Sequence, residues 1–227
     1  MKQGVLYGVG VGPGDPELMT LKAVRIIRES DVIAVPDGKI AQAIAADYLE
    51  GKEILLCDMP MLRDRALLAR KHEEAAARIC ALLEQGRQVA FLTLGDPSVY
   101  STYMYVHRRV LARGYEAQLV PGVPSFCAVA ARLGDSLCEG AEPLLVIPAS
   151  YRNADACLAF PGNKVFMKAG RSMGELKDKL RARGDRAQMV ENCGMPGERV
   201  YRALDEIDPD AGYFSVVVVK QGKDTQI

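Results

Sequence analysis

Apolar positions along the chain come in short runs separated by longer amphipathic stretches, and the period changes from one to the other. Residues 5–9, 32–35, 53–57, 88–94 and 116–120 have strand length. A continuous run such as Val32-Ile-Ala-Val35, closed by Pro36, reads as a strand buried on both faces. Between these runs, residues 18–28, 40–49, 64–85 and 99–112 read as helices. In the first, Leu18, Leu21, Val24 and Ile27 fall on one stripe and Thr20 stands where it can cap the helix or face the turn, while Gly86 and Gly114 follow the last two helices. Such alternation predicts a five-stranded, mostly parallel sheet with right-handed crossovers.

After residue 121 the pattern changes. A helix and a loop occupy 121–134, strands are expected at 143–148, 164–168, 187–191 and 213–220, and a helix at 174–183. This predicts a second α/β domain with a mixed sheet. The domains are set at 1–121 and 122–227, with a fraying polar end at 221–227.

Charge and composition narrow the function. Lys plus Arg and Asp plus Glu each number 29, so the formal net charge is zero. A general nucleic-acid binder would carry a basic excess. Apolar residues make up 49%, enough for a sizeable core. No run reaches the ~18 apolar residues of a membrane span. The glycine-broken run at 5–11 lacks the basic leader of a signal peptide, and the expectation is a cytoplasmic protein with no nucleic-acid or membrane partner. Cys57, Cys80, Cys127, Cys138, Cys157 and Cys193 form no C-x-x-C pair, so no metal site is expected, and reduced, mostly buried thiols are. His72 and His107 sit in charged helical stretches and are expected at the surface. No Ser/His or Cys/His pair stands out, and no catalytic residue is assigned.

The richest stretch is Gly95-Asp-Pro-Ser-Val-Tyr-Ser-Thr-Tyr103, directly after the strand at 88–94. In open parallel sheets, ligands bind at the carboxyl ends of strands. Asp96, Pro97, Ser98, Tyr100 and Ser101 could build a polar site there. They could also make an ordinary helix start, with Asp96 or Ser98 as N-cap and Pro97 in the first turn. A second stretch, Gly8-Val-Gly-Val-Gly-Pro-Gly14, is not the dinucleotide fingerprint: counted from Gly8 the third glycine position is Pro13, and counted from Gly10 it is Asp15. Asp15 would repel a pyrophosphate, and no Gly-Lys-Ser/Thr follows. The reading is a tight turn that lets another molecule approach the main chain, with Asp15-Pro16 starting the next helix.

These two stretches and Val120-Pro-Gly-Val-Pro-Ser-Phe-Cys-Ala-Val-Ala-Ala131, in this order, resemble the tetrapyrrole methylase family. The resemblance extends to Gly212-Tyr-Phe-Ser215 and the run Val216 to Val219. Ser101-Thr-Tyr-Met-Tyr105, Met59-Pro-Met61 and Glu191-Asn-Cys-Gly-Met195 look most like the branch acting on C20 of precorrin-2 or cobalt-precorrin-2. The resemblance implies the two-domain class III methyltransferase fold, S-adenosylmethionine as methyl donor (S-adenosylhomocysteine as product), a tetrapyrrole substrate and a homodimer. It places the donor against Pro36, Gly95, Asp96, Val99, Tyr100, Ser101 and Thr102 of the first domain. The second domain completes that site with Met167, Lys168, Asn192, Cys193, Tyr213 and Phe214. It places the substrate against Gly12, Pro13, Gly14, Asp15, Lys39 and Lys168, with Arg63, Arg152 and Arg171 as further cations for its carboxylates. After Pro36, the short Asp37-Gly-Lys39 replaces the longer, serine-containing segment frequent in that branch.

Such a transfer needs no catalytic triad. A sulfonium is an excellent leaving group and the acceptor carbon is enamine-like, so holding the reacting atoms in line at ~3–3.5 Å can supply most of the catalysis. Two alternatives stand beside this reading: a tetrapyrrole methylase acting at another position, such as on uroporphyrinogen III, and a nucleotide-binding regulatory module.

Overall fold

The computed structural model describes residues 2–36, 39–60, 64–149 and 154–220. Asp37, Gly38, Met61, Arg63, Arg152 and the end 221–227 lie outside the described residues, as does the side chain of Arg171. The chain divides into two compact units, Met1–Pro124 and Ser125–Ile227.

In the first unit, strands β1 (Val5–Gly10), β2 (Val32–Pro36), β3 (Glu53–Cys57), β4 (Val89–Thr93) and β5 (Glu116–Val120) alternate with helices α1 (Leu21–Glu29), α2 (Lys39–Ile44), α3 (Arg65–Glu84) and α4 (Tyr103–Ala112). The sheet order is β3-β2-β4-β1-β5, and every pairing is parallel. The chain runs from β1 to β3 in one direction and returns through β4 to β5 in the other. Right-handed crossovers therefore put α1 and α2 on one face and α3 and α4 on the opposite face. The strand pleat follows: Ile33, Val35, Ala90 and Leu92 pack with Ile26, Ile27 and Ile44, while Val32, Ala34, Val89 and Phe91 pack with Ile79, Leu83, Tyr103 and Val106. Each buried Val, Leu, Ile or Phe among them contributes about 1.5–3 kcal/mol.

Helix α1 starts later and turns differently from the sequence expectation. Residues Pro16–Leu18 form a separate 3-10 turn capped by Asp15, and the Thr20 hydroxyl accepts the Ala23 amide at 3.1 Å to begin α1. The buried stripe is Ala23, Ile26 and Ile27, and Leu21 is 90% exposed. The break at Met19 and Thr20 shifts the helical phase, which the four-residue stripe did not anticipate. Likewise the helix expected at 40–49 is α2 followed by the 3-10 turn Ala46–Tyr48.

Both histidines are buried, contrary to expectation: His72 is 6% exposed and His107 is 9% exposed. Helices α3 and α4 pack on each other, so part of each helix's charged-looking sequence faces its neighbour. His72 stacks on Tyr105 with ring centroids 4.7 Å apart, and Nδ1 of His107 meets the Tyr103 hydroxyl at 3.0 Å. All six cysteines are free thiols; Cys57, Cys80 and Cys193 are buried, but Cys127 and Cys138 are exposed, so burial is less general than expected. Burial pushes the Cys57 thiol up to about 11.

The second unit holds β6 (Leu144–Pro148), β7 (Asn163–Met167), β8 (Arg186–Glu191), β9 (Arg199–Tyr201) and β10 (Ser215–Lys220), with α5 (Ser125–Leu133), α6 (Ala154–Ala159) and α7 (Met173–Arg183). The order is β6-β7-β10-β8-β9, with β6–β7 parallel and the other pairs antiparallel. The mixed sheet agrees with the sequence. Phe166, Met189, Val217 and Val219 face Met173, Leu176 and Leu180 in its core. The short α6 and β9 carry too few residues to show a period, and the sequence did not reveal them. No described helix is long and apolar enough to cross a membrane.

Candidate functional site

In the first unit, all strands point their carboxyl ends to one edge. Pairing between β2 and β4 stops at Ala34 and Phe91, while β2–β3 continues to Pro36 and β1–β4 to Thr93. The two strands on either side of the reversal in chain direction thus part at their carboxyl ends, which is the crevice where open α/β sheets bind ligands. Pro36 closes β2 on one side of it, and Gly95 and Asp96 follow β4 on the other. Lys39, the first residue of α2, is exposed.

The glycine turn after β1 lies against the turn after β4. Gly12 (φ 78°) and Gly95 (φ 71°) form an antiparallel bridge in which the Gly95 amide donates to the Gly12 carbonyl at 2.7 Å. Pro13 and Gly14 are buried beside it, and Asp15 accepts the Glu17 amide at 2.9 Å. Asp15 is therefore engaged locally as a turn cap.

The loop at 95–102 is not the helix start that sequence also allowed. Helix α4 begins at Tyr103, four residues later than expected, and Tyr100 has φ 48°, which a right-handed helix cannot accommodate. Neither Asp96 nor Ser98 caps α4; the Ser101 hydroxyl accepts the Tyr103 amide at 3.2 Å. The Asp96 carboxylate instead takes the Ser98 amide (2.8 Å) and hydroxyl on Oδ1 and the Gly122 amide (3.0 Å) on Oδ2. Val99 is half-buried, and Tyr100 and Thr102 are exposed.

In the second unit, β7 and β8 both run antiparallel to β10, so their carboxyl ends and the start of β10 share one edge. Met167 ends β7, and Lys168 follows it with φ 58°. Asn192, with φ 51°, follows β8, and its amide donates to the Phe214 carbonyl at 3.0 Å. Tyr213 and Phe214 meet edge-to-face, and Nζ of Lys168 stands 6.0 Å from the Tyr213 ring centre. Burial lowers the Lys168 pKa below the ordinary lysine value and raises that of Tyr213. Cys193 is buried directly after Asn192.

Among the described residues, the non-glycine positions with left-handed backbone are Tyr100, Lys168 and Asn192. Each follows the carboxyl end of a strand, and each was singled out from sequence. Such conformations cost about 1–3 kcal/mol and cluster at ligand sites. Sequence reasoning missed Gly122 and Glu191. The first follows Pro121 at the end of β5. The second is an acidic residue closing β8, buried, with Oε1 accepting the Gly212 amide at 2.6 Å. A charge directly after the apolar pair Met189-Val190 was the available signal.

Comparison with known proteins agrees with this architecture. Residues 5–208 match the model of the tetrapyrrole (corrin/porphyrin) methylases. The cobalamin biosynthesis protein CobIJ of Mycobacterium tuberculosis is 36% identical over 246 residues, covering 97% of this chain and 47% of that protein, so the chain spans about half its length. The cobalt-precorrin-2 C(20)-methyltransferase of Salmonella typhimurium is 34% identical over 230 residues, covering 96% of this chain and 97% of that one. Among solved structures, the cobalt precorrin-4 methyltransferase CbiF superposes with a TM-score of 0.78 at 21% identity, covering 95% and 94% of the two chains. The Thermus thermophilus uroporphyrin-III C-methyltransferase complexed with S-adenosyl homocysteine gives 0.72 at 22%, covering 96% and 98%. A family match over nearly the whole chain, on the two α/β units described, identifies it: the chain belongs to the tetrapyrrole (corrin/porphyrin) methylases.

Proposed function

We propose that this protein transfers the methyl group of S-adenosylmethionine to C20 of precorrin-2 or its cobalt complex, in the formation of a corrin. The observation that carries the reading is the end-to-end match to the Salmonella C20-methyltransferase. The donor supplies a methyl carried on a sulfonium, whose sulfur keeps the electron pair of the broken C–S bond as the ring carbon forms the new C–C bond.

The residues suit that donor. Its sulfonium and ammonium groups call for carbonyl and hydroxyl oxygens, which the loop at 95–102 offers through Tyr100, Ser101, Thr102 and its main chain, with Pro36 across the parted strands. The adenine calls for flat apolar contact and main-chain hydrogen bonds, the part given to Met167, Asn192, Cys193, Tyr213 and Phe214. Lys168, with Lys39 and the turn at 12–15, is given to the substrate, whose many carboxylates need cations. With the sulfonium as leaving group, positioning supplies most of the catalysis. The working form is a cytoplasmic homodimer.

Anaerobic incubation with S-adenosylmethionine and either metal-free precorrin-2 or its cobalt complex tests the reading. A product heavier by one methyl, located at C20 by NMR, is expected. Methylation at another carbon, or none of either substrate, overturns it. Solution scattering is expected to give twice the 24.7 kDa of the chain; the mass of one chain would overturn the dimer.

A further inference from the structure

The strand order β4-β1-β5 places β1 between the two strands whose following loops carry Asp96 and Gly122. Two strand spacings, ~9.6 Å, separate β4 from β5. Their loops meet only by arching over the end of β1, and the residue there is Gly10. A Cβ on Gly10 would lie 2.5 Å from the Gly95 carbonyl oxygen and 2.7 Å from the Gly122 nitrogen. A Cβ on Gly122 would lie 2.2 Å from the same Gly95 oxygen. Three bare main chains are thus pressed together at the end of the central strand.

Close contact alone does not orient a peptide plane. The Pro121–Gly122 peptide is held at both of its polar ends: the Thr20 hydroxyl donates to the Pro121 carbonyl at 3.4 Å, and the Gly122 amide donates to Oδ2 of Asp96 at 3.0 Å. Thr20 is the N-cap of α1, and Asp96 is braced by the Ser98 amide and hydroxyl on its other oxygen. The loops after β1, β4 and β5 are therefore cross-linked through one peptide.

We infer that Asp96 is a positioning residue: its carboxylate locks the Pro121–Gly122 peptide and so fixes the loop at 95–102, serving the proposed methyl transfer through those loops and not as an ionic partner of the donor. The inference rests on the methyltransferase reading for its function, and on the hydrogen bonds of Asp96, Thr20 and Gly122 for its geometry. An Asn side chain keeps one oxygen for the Gly122 amide, puts its NH2 group where Ser98 had an acceptor and loses the charge; an Ala side chain loses the charge and all of these bonds. The two roles therefore predict different orders of effect.

Two measurements on the full chain decide it. Amide hydrogen exchange followed by NMR, without ligand, is expected to show the Gly122 amide protected in the wild type and in Asp96→Asn, and exchanging at least about tenfold faster in Asp96→Ala. Calorimetric titration with S-adenosylhomocysteine is expected to show Kd raised about threefold by Asp96→Asn and about tenfold or more by Asp96→Ala, the scale of one lost charge-assisted hydrogen bond. Unchanged protection of Gly122 in Asp96→Ala overturns the lock. An equal tenfold loss in both variants overturns it in favour of ionic contact with the donor. If Asp96→Ala fails to fold, Asp96→Asn alone decides by the same threefold or tenfold result. A wild type that binds no S-adenosylhomocysteine overturns the methyltransferase reading, and with it the role given to the lock.

Discussion

Oε1 of Glu191 accepts the amide of Gly212 at 2.6 Å, tying the carboxyl end of β8 to the segment that leads into β10. The segment is closed by two further bonds: the Ser215 hydroxyl donates to the Gly212 carbonyl at 2.8 Å, and the Asn192 amide donates to the Phe214 carbonyl at 3.0 Å. Glu191 is buried but Gly212 is exposed, so losing the side chain removes a part-buried hydrogen bond whose freed amide water can reach, at a cost of about 0.5–1.5 kcal/mol. Glu191→Ala is expected to lower stability to urea by that amount and to weaken S-adenosylhomocysteine binding. Glu191→Gln, which keeps an oxygen in place, is expected to recover most of both. Equal losses in the two variants would show that the charge matters and the hydrogen bond does not.

Lys168 carries a prediction that depends on pH. Its ammonium is half-buried near the Tyr213 ring, and burial lowers its pKa from the ordinary lysine value of 10.5. It therefore loses its charge at a lower pH than a surface lysine does. If it holds a substrate carboxylate, KM for the tetrapyrrole should climb as pH rises into the alkaline range, at a lower pH than for a lysine with the ordinary value of 10.5. Lys168→Arg keeps its charge throughout that range and is expected to flatten the profile. Lys168→Gln is expected to raise this KM about tenfold at neutral pH, with a smaller effect on the KM of S-adenosylmethionine. An unaltered tetrapyrrole KM in Lys168→Gln would remove Lys168 from the substrate site.

Much of this was legible in the sequence where the signal was one of period or chain direction. Continuous apolar strands separated by helices gave a parallel sheet because β2 and β4 are covered on both faces. The change of pattern after residue 121 gave the mixed sheet. What failed was phase and exposure. The α1 stripe slipped because the 3-10 turn Pro16–Leu18 interrupts the chain before Thr20. The histidines were misplaced because the packing of α3 on α4 decides which polar residues are covered, and no local pattern encodes that partner. Asp96 was recognised as important, but its attachment to Gly122 spans 26 residues and follows from strand order, which local sequence spacing does not contain.

A glycine at a strand end and one in a helix differ sharply in what they tolerate. A Cβ on Gly10 meets main-chain atoms at 2.5 and 2.7 Å that cannot swing aside. Gly10→Ala is expected to destabilise the protein by about 1–3 kcal/mol in urea and to reduce S-adenosylhomocysteine binding. Gly174, in the first turn of α7, has only a Pro209 side-chain carbon at 3.8 Å from a new Cβ. There the same substitution relieves the helix of a glycine and is expected to stabilise by about 0.5–1 kcal/mol. A neutral Gly10→Ala would show that the loops after β4 and β5 can part without loss.

The buried histidines make stability depend on pH in a definite direction. His72 lies under Tyr105 with Arg109 nearby, and His107 bonds Tyr103 with Arg108 nearby. In both, burial first and the neighbouring guanidinium second lower the pKa from 6.5 in the folded chain. Between the folded value and 6.5 the unfolded chain holds more protons than the folded one, so stability rises with pH across that window. The contribution is complete above 6.5 and is lost as pH falls, at most about 1.4 kcal/mol per pH unit for each proton. Urea midpoints between pH 7 and 5.5 are therefore expected to fall for the wild type. They should fall less steeply for the double variant His72→Gln/His107→Gln, whose glutamines do not titrate. Parallel slopes would mean that the protons are taken up elsewhere and that both imidazoles can be charged without disturbing the packing of α3 on α4.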